Sequence, residues 1–193
     1  MNPTFRSFSA VLAVALLNLS FIAYSQPEKE IDPDGPGYAE NCTSIMVGRL
    51  ASTDGSVMTS HTCDGRYRTW LEVVPAMKFA RDTVHPVCWG TLFTEEAWDM
   101  TNVTRKGEIP EVKETYSYLS TAYPCLNEKQ LAIGETTIYG KQELINKDGL
   151  FLIEELEKIA LQRCTTARQA IALIGSLAEQ YGYGDMAECI TIA

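Results

Sequence analysis

Cys42 stands at a boundary in the chain. Ahead of it, residues 26–41 (QPEKEIDPDGPGYAEN) hold three prolines, two glycines and five acidic side chains with no apolar period, which marks a linker or pro-segment. Behind it, Thr43, Ile45 and Val47 alternate with Ser44 and Met46, the pattern of a half-buried strand. Cleavage just before Cys42 would leave a thiol beside a free α-amine. An α-amine titrates near about 8 and a thiol near about 8.5, so the amine can take the thiol proton with no histidine required. Nucleophile and base are then one residue. A cysteine that opens a strand also has a purely structural reading, and the residues alone leave both open.

The remaining reactive groups form weaker patterns. His61-Thr62-Cys63 and His85-Pro86-Val87-Cys88 contain both histidines of the chain and together offer a zinc set. Their spacing is not that of a ribbon or finger, and Pro86 restricts the second pair, so no metal and no organic cofactor is expected. The six cysteines, Cys42, Cys63, Cys88, Cys125, Cys164 and Cys189, invite disulfides in an exported chain. A chain of this length can build a core without staples, so buried, unpaired cysteines are an equal alternative. If Cys42 is a nucleophile, five cysteines remain and at least one of them must be free.

Positioning Cys42 calls for a hairpin. Asp54-Gly55 within the turn Ala51–Ser56 tolerates positive φ, so Ser56–His61 should return as a second strand and bring His61–Asp64 to the end that carries Cys42. Thr69–Val74 reads as a further strand stopped by Pro75. Residues 75–114, with prolines, charges, Trp89 and Trp98, show no sustained period and are expected to be a long, partly structured loop region. Thr115–Ala122 and Gln130–Thr137 predict a second hairpin around Asn127-Glu128-Lys129. After Gly149, Leu152, Leu156, Ile159 and Ala160 follow the helical period, with Glu154, Glu155, Glu157 and Lys158 toward water, up to Arg163-Cys164. Thr166 with Gln169 caps a second helix whose stripe is Ala170, Ile171, Ile174, Leu177 and Ala178 and whose end is Gly182. Glu188–Ala193 opens a last strand. The order is that of an α+β fold with antiparallel sheet.

Composition narrows the partners. The 193 residues are 46% hydrophobic and 21% charged, with 16 basic against 25 acidic groups and a net charge of −9. No basic cluster exists to draw a nucleic acid. Residues 1–25 run from Arg6 through the apolar Ala10–Leu17 to Ala23-Tyr24-Ser25, the layout of a secretory signal peptide. The apolar run is shorter than the ~20 residues of a stable span. Export, periplasmic or secreted, with no stable membrane span after cleavage, is expected, and a retained anchor is the alternative.

Three ordered blocks carry a resemblance over residues 42–193. They are Cys42-Thr-Ser-Ile-Met-Val-Gly48 with Ala51-Ser-Thr-Asp-Gly-Ser-Val-Met-Thr59 and Asp64, then Asn127-Glu-Lys-Gln-Leu-Ala-Ile-Gly-Glu-Thr-Thr137, then Ala160–Ala170 followed by Tyr181-Gly-Tyr-Gly184. The chain resembles the N-terminal-nucleophile cysteine dipeptidases, the dipeptidase A and secernin group. That resemblance implies the four-layer αββα sandwich of N-terminal nucleophile hydrolases. It also implies Cys42 as the nucleophile freed by loss of residues 26–41, Asp64 as the acidic residue that holds its amine and thiol, and a small peptide as substrate. His61 stands where members often carry Arg, and His61, Asn127 and Glu135 are the candidates for substrate contacts. Relatives continue beyond the strand at Glu188–Ala193, so the sandwich is expected to be incomplete here and these residues alone inactive. An amidohydrolase acting on N-acyl amides, like choloylglycine hydrolases, and a non-enzymatic secreted disulfide-linked domain are the competing expectations.

Overall fold

The structure, a computed structural model, describes residues 42–193 except 66, 97, 98 and 139. The expected signal and linker segments, and Trp98, lie outside the described residues.

Strand β1 (Ser44–Val47) pairs antiparallel with β2 (Met58–His61), from Ser44↔His61 to Val47↔Met58. The intervening turn closes as its residues require. The Asp54 carboxylate accepts the Ser56 N–H at 3.0 Å, and Gly55 takes φ +78°, a conformation open to residues without a Cβ. The first expected hairpin is present, with its Cys42 and His61 ends together.

β3 (Glu72–Val74) pairs with β6 (Tyr118–Ser120), which pairs with the two-residue β7 (Leu126–Asn127). Residues 75–114, expected as loop, contain an antiparallel hairpin of β4 (Val84–Trp89) and β5 (Thr104–Pro110) with a register shift at Val87/Cys88. A short 3₁₀ turn, Thr91–Phe93, follows β4. The period of two is real: His85 and Val87 are buried while Val84 and Pro86 are exposed. It is disguised because one inward residue is a histidine, one outward residue is a proline, and the bulge then breaks the alternation.

The second expected hairpin also differs. β8 (Ile133–Ile138) pairs with β9 (Ala187–Ile192), from Ile133↔Ile192 to Ile138↔Ala187, and not with the strand at Thr115–Ala122. Asn127–Lys129 is a turn, but it joins β7 to β8. The Asn127 Oδ1 accepts the N–H groups of Lys129 and Leu131, each at 3.0 Å, which uses donors that a longer ladder would need.

Helix α1 (Ile153–Arg163) is buried nearly all round, and Glu154, Glu155 and Glu157 are 2%, 1% and 0% exposed, contrary to the expected solvent face. The cause is enclosure: α1 packs against α2 (Ala167–Tyr181) on one side and against β4, β6 and β7 on others, so no face is left for water. The Thr166 Oγ1 accepts the Gln169 N–H at 3.3 Å and caps α2, and Gly182 at φ +84° ends it. In α2 only Ala170 and Leu177 are fully buried, and Ile171, expected inside, is exposed. One core cluster joins Leu131, Ile133, Leu161 and Ala170, a second joins Val87, Ile109, Phe151, Leu156 and Ile159, and a third joins Leu92, Ala122, Tyr123 and Ile153.

The molecule is thus mixed strand and helix with small antiparallel sheets, of the α+β class. The four-layer sandwich stays an expectation of the resemblance. No helix among the described residues is long and apolar enough to cross a membrane.

Candidate active site

The β1–β2 hairpin is laid against β8 by a set of small and hydroxylated side chains. Ser44 Oγ donates to the Glu135 carbonyl at 3.0 Å and contacts the Thr136 hydroxyl, and Thr59 and Thr191 share a hydroxyl–hydroxyl hydrogen bond of 2.5 Å. Gly134 permits the approach. A Cβ built there would lie 2.9 Å from Thr191 Oγ1, 3.0 Å from His61 Nδ1 and 3.1 Å from Thr59 Oγ1, too close for any side chain without displacement. The main chain continues the clamp just beyond β1 and β2: Thr43 N–H donates to Thr62 Oγ1 at 3.0 Å, and Thr62 N–H donates to the Thr43 carbonyl at 2.9 Å.

This clamp sets Cys42 over β8. Its sulfur faces the main-chain N–H groups of Asp64 and Thr137, and the Glu135 carboxyl lies against it. Burial pushes the Cys42 thiol up from its ordinary value, and Glu135 adds to this, while the two N–H groups oppose it. Burial depresses His61, with Glu135 opposing, so the imidazole beside Gly134 is biased to its neutral form. Cys63, coupled electrostatically to Cys42 and Glu135, is raised by burial. All six cysteines are unpaired.

Glu135 is wholly buried and neither carboxyl oxygen has a hydrogen-bond partner among the described residues. It contacts Glu188 of β9, whose carboxyl is pushed up to about 9 by burial and by Glu135 itself. Glu157 of α1, also wholly buried, is within electrostatic reach of the same pair and is raised well above the ordinary range by burial. An open groove of about 410 Å³ runs alongside, lined by His61, Thr59, Leu119, Thr121, Cys125 and Ile133 among others.

The expected site residues separate into two groups. Cys42, His61 and Glu135 meet at the crossing of the hairpin over β8, and Asp64 joins them through its main chain while its side chain is exposed. Asn127 does not join them. Its side chain donates to the Leu161 and Cys164 carbonyls at 2.7 and 2.9 Å and accepts two N–H groups within its own turn. The zinc set is not assembled either: His85 Nδ1 lies 2.9 Å from Glu111 Oε2 on the β4–β5 side. Among the described residues no group of three or more potential ligands is arranged for a metal ion. Sequence reasoning missed Gly134, Glu188 and Glu157. A glycine inside a strand pattern was the available signal for the first; nothing local marks the other two.

Comparison with known proteins follows the same stretch of chain. Residues 41–193 match Peptidase family C69. Over 156 residues, the chain is 29% identical to a probable dipeptidase of Latilactobacillus sakei, covering 73% of this chain and 30% of that relative. The chain therefore spans less than a third of that relative's length.

Proposed function

The chain belongs to peptidase family C69, and from that premise we propose that it is an exported dipeptidase whose Cys42 thiolate attacks the peptide carbonyl. The observation that carries this reading is the seat of Cys42: a thiol at the end of a hairpin, facing two main-chain N–H groups, with His61 of the same hairpin lining an open groove. These fixed donors oppose the burial that pushes the thiol up and cost nothing to reorganise. In the reaction the sulfur bonds to the carbonyl carbon and the amine product departs with a proton. Water, deprotonated by the Cys42 α-amine, then releases the acyl group. The signal leaves first, and residues 26–41 leave to expose that amine. Asp64 contributes its N–H to the sulfur and its carboxylate at the rim, and His61 lines the groove as a neutral donor to substrate. The named relative, a probable dipeptidase, supports the substrate class.

The test is intact-mass measurement of the exported protein, expressed with any reading frame that follows residue 193, together with assays on dipeptides bearing free N-termini. A mature chain starting at Cys42 that cleaves dipeptides, and a folded Cys42→Ala variant that does not, are the expected results. Retention of residues 26–41 in an active enzyme would remove the α-amine mechanism. Cleavage of N-acyl amides with no action on dipeptides would transfer the site to amidohydrolase chemistry.

A further inference from the structure

We infer that the Glu135–Glu188 carboxyl pair is the seat of the Cys42 α-ammonium, with Glu135 as the positioning residue of the nucleophile. The inference rests on the reading above in one respect, that the chain comes to begin at Cys42.

The ladder places the two carboxyls together. Glu135 opposes Ile190 and Glu188 opposes Thr137, so the two glutamates are diagonal neighbours on one face of an antiparallel pair. Two carboxyls in contact cannot both be charged without large cost, and Glu188, pushed up to about 9, holds the shared proton. Beyond Glu188 and the Cys42 thiol, no group among the described residues serves either Glu135 oxygen, and no cation does. Ion pairs of the described residues engage other carboxylates, at Glu108, Glu111, Glu114, Glu128 and Glu155. Buried carboxyls crowded together without a cation are costly to ionise, so a cation is what this pair lacks.

A second, independent observation comes from α1. Glu157 is wholly buried, neither of its oxygens has a partner among the described residues, and it lies within electrostatic reach of both Glu135 and Glu188. Three elements thus bury acidic groups within electrostatic reach of one another. The other groups around it, His61, Cys63, Tyr123 and Tyr183, supply no lysine or arginine.

Cys42 can supply the missing charge itself. Its sulfur lies against Glu135, and bond lengths and staggered rotamers hold a cysteine nitrogen within about 3–4 Å of its own sulfur. In the uncleaved chain that nitrogen is a neutral amide. Cleavage makes it an ammonium within reach of the carboxyl pair, so the charge that is uncompensated before processing is matched after it. The carboxylate fixes that nitrogen beside the sulfur; the neutral amine takes the thiol proton, and the ammonium so formed is the cation the carboxylate holds.

The experiment uses the whole chain with a site-specific protease sequence placed directly ahead of Cys42, so the chain beginning at Cys42 is obtained whether or not natural processing occurs. The protonation of the α-amine is followed against pH through the Cys42 nitrogen shift in NMR of protein labelled with isotopic cysteine. The wild-type amine should deprotonate above its free value of about 8. Glu135→Gln should bring the midpoint down by about 1–3 units, and Glu188→Gln, which mimics the protonated partner, should leave it near wild type. A wild-type midpoint at or below about 8 overturns the inference even if no variant folds. An unchanged midpoint in folded Glu135→Gln overturns it as well. A Glu135-dependent midpoint in a protein that cleaves no dipeptide would uphold the seat and reject the proposed activity.

Discussion

Asn127 shows how a residue with the right chemistry for a substrate contact is used for something else. Its four hydrogen bonds, two to the C-terminal end of α1 and two within the β7–β8 turn, exhaust what an amide side chain can make. It is a rivet between the helix and the turn that launches β8. Asn127→Ala should therefore cost about 2–4 kcal/mol, the sum of lost bonds and newly stranded buried groups. The change should appear in the urea midpoint, while the folded fraction keeps its kcat/KM on dipeptides. A large kcat/KM loss at full stability would place Asn127 on the substrate instead. The same residue marks what single positions disclose. Its type and turn position were legible at once, but its partners lie 34 and 37 residues away, and no local pattern names them. Cys42 stands out in the sequence for the opposite reason: its setting, a proline- and acid-rich stretch before and an alternating strand after, is local.

Between elements, the strongest polar tie is centred on Glu111, just past β5. Its carboxylate receives Arg163 at the end of α1 at 2.9 Å, His85 of β4 at 2.9 Å and the Val112 N–H at 2.8 Å. All three side chains are under 10% exposed. Burial works against the Glu111 charge, yet the Val112 N–H, His85 and Arg163 together hold its carboxyl below the ordinary range. Removing the acceptor leaves a buried guanidinium with no partner, so Glu111→Ala should cost about 3–5 kcal/mol. The Glu111→Ala and Arg163→Ala losses should fall well short of additive in equilibrium unfolding; full additivity would show that the three groups do not act as one tie. This pairing also explains why the β4–β5 hairpin was hidden. With His85 inward to meet Glu111 and Pro86 outward, the strand does not read as apolar alternation. The first hairpin, whose turn carries Asp54-Gly55, read correctly. The α1 glutamates misled for a related reason. Helical periodicity assumes one wet face, and α1, enclosed by α2 and three strands, has none.

At the scale of the whole molecule, those enclosed glutamates set how stability responds to pH. Burial pushes Glu154 up to about 8 and Glu188 to about 9, and Glu157 is raised well above the ordinary range. In the unfolded chain each titrates near about 4.3. Above that pH the unfolded state releases protons that the folded state keeps. The stability these groups confer is therefore complete below about 4.3 and drains as pH climbs toward 8–9, by up to about 1.4 kcal/mol per pH unit for each group. The opposite sign belongs to Glu111, lowered in the fold, and to His61 and His85, whose neutral forms burial favours. Their contributions are lost as pH falls, the histidines' below about 6.5 and the carboxylate's below about 4.3. The two trends place the optimum on the acidic side of neutrality, and the net charge of −9 adds self-repulsion on the alkaline side. Urea unfolding at pH 6, 7.5 and 9 should give midpoints that fall steadily. Glu157→Gln, an amide that needs no proton to stay neutral, should flatten that fall and leave the variant more stable than wild type at pH 9. Midpoints that hold level or rise from pH 6 to 9 would mean that the glutamates of α1 are charged and paired in the fold, and the account of α1 as a helix without a wet face would fail with them.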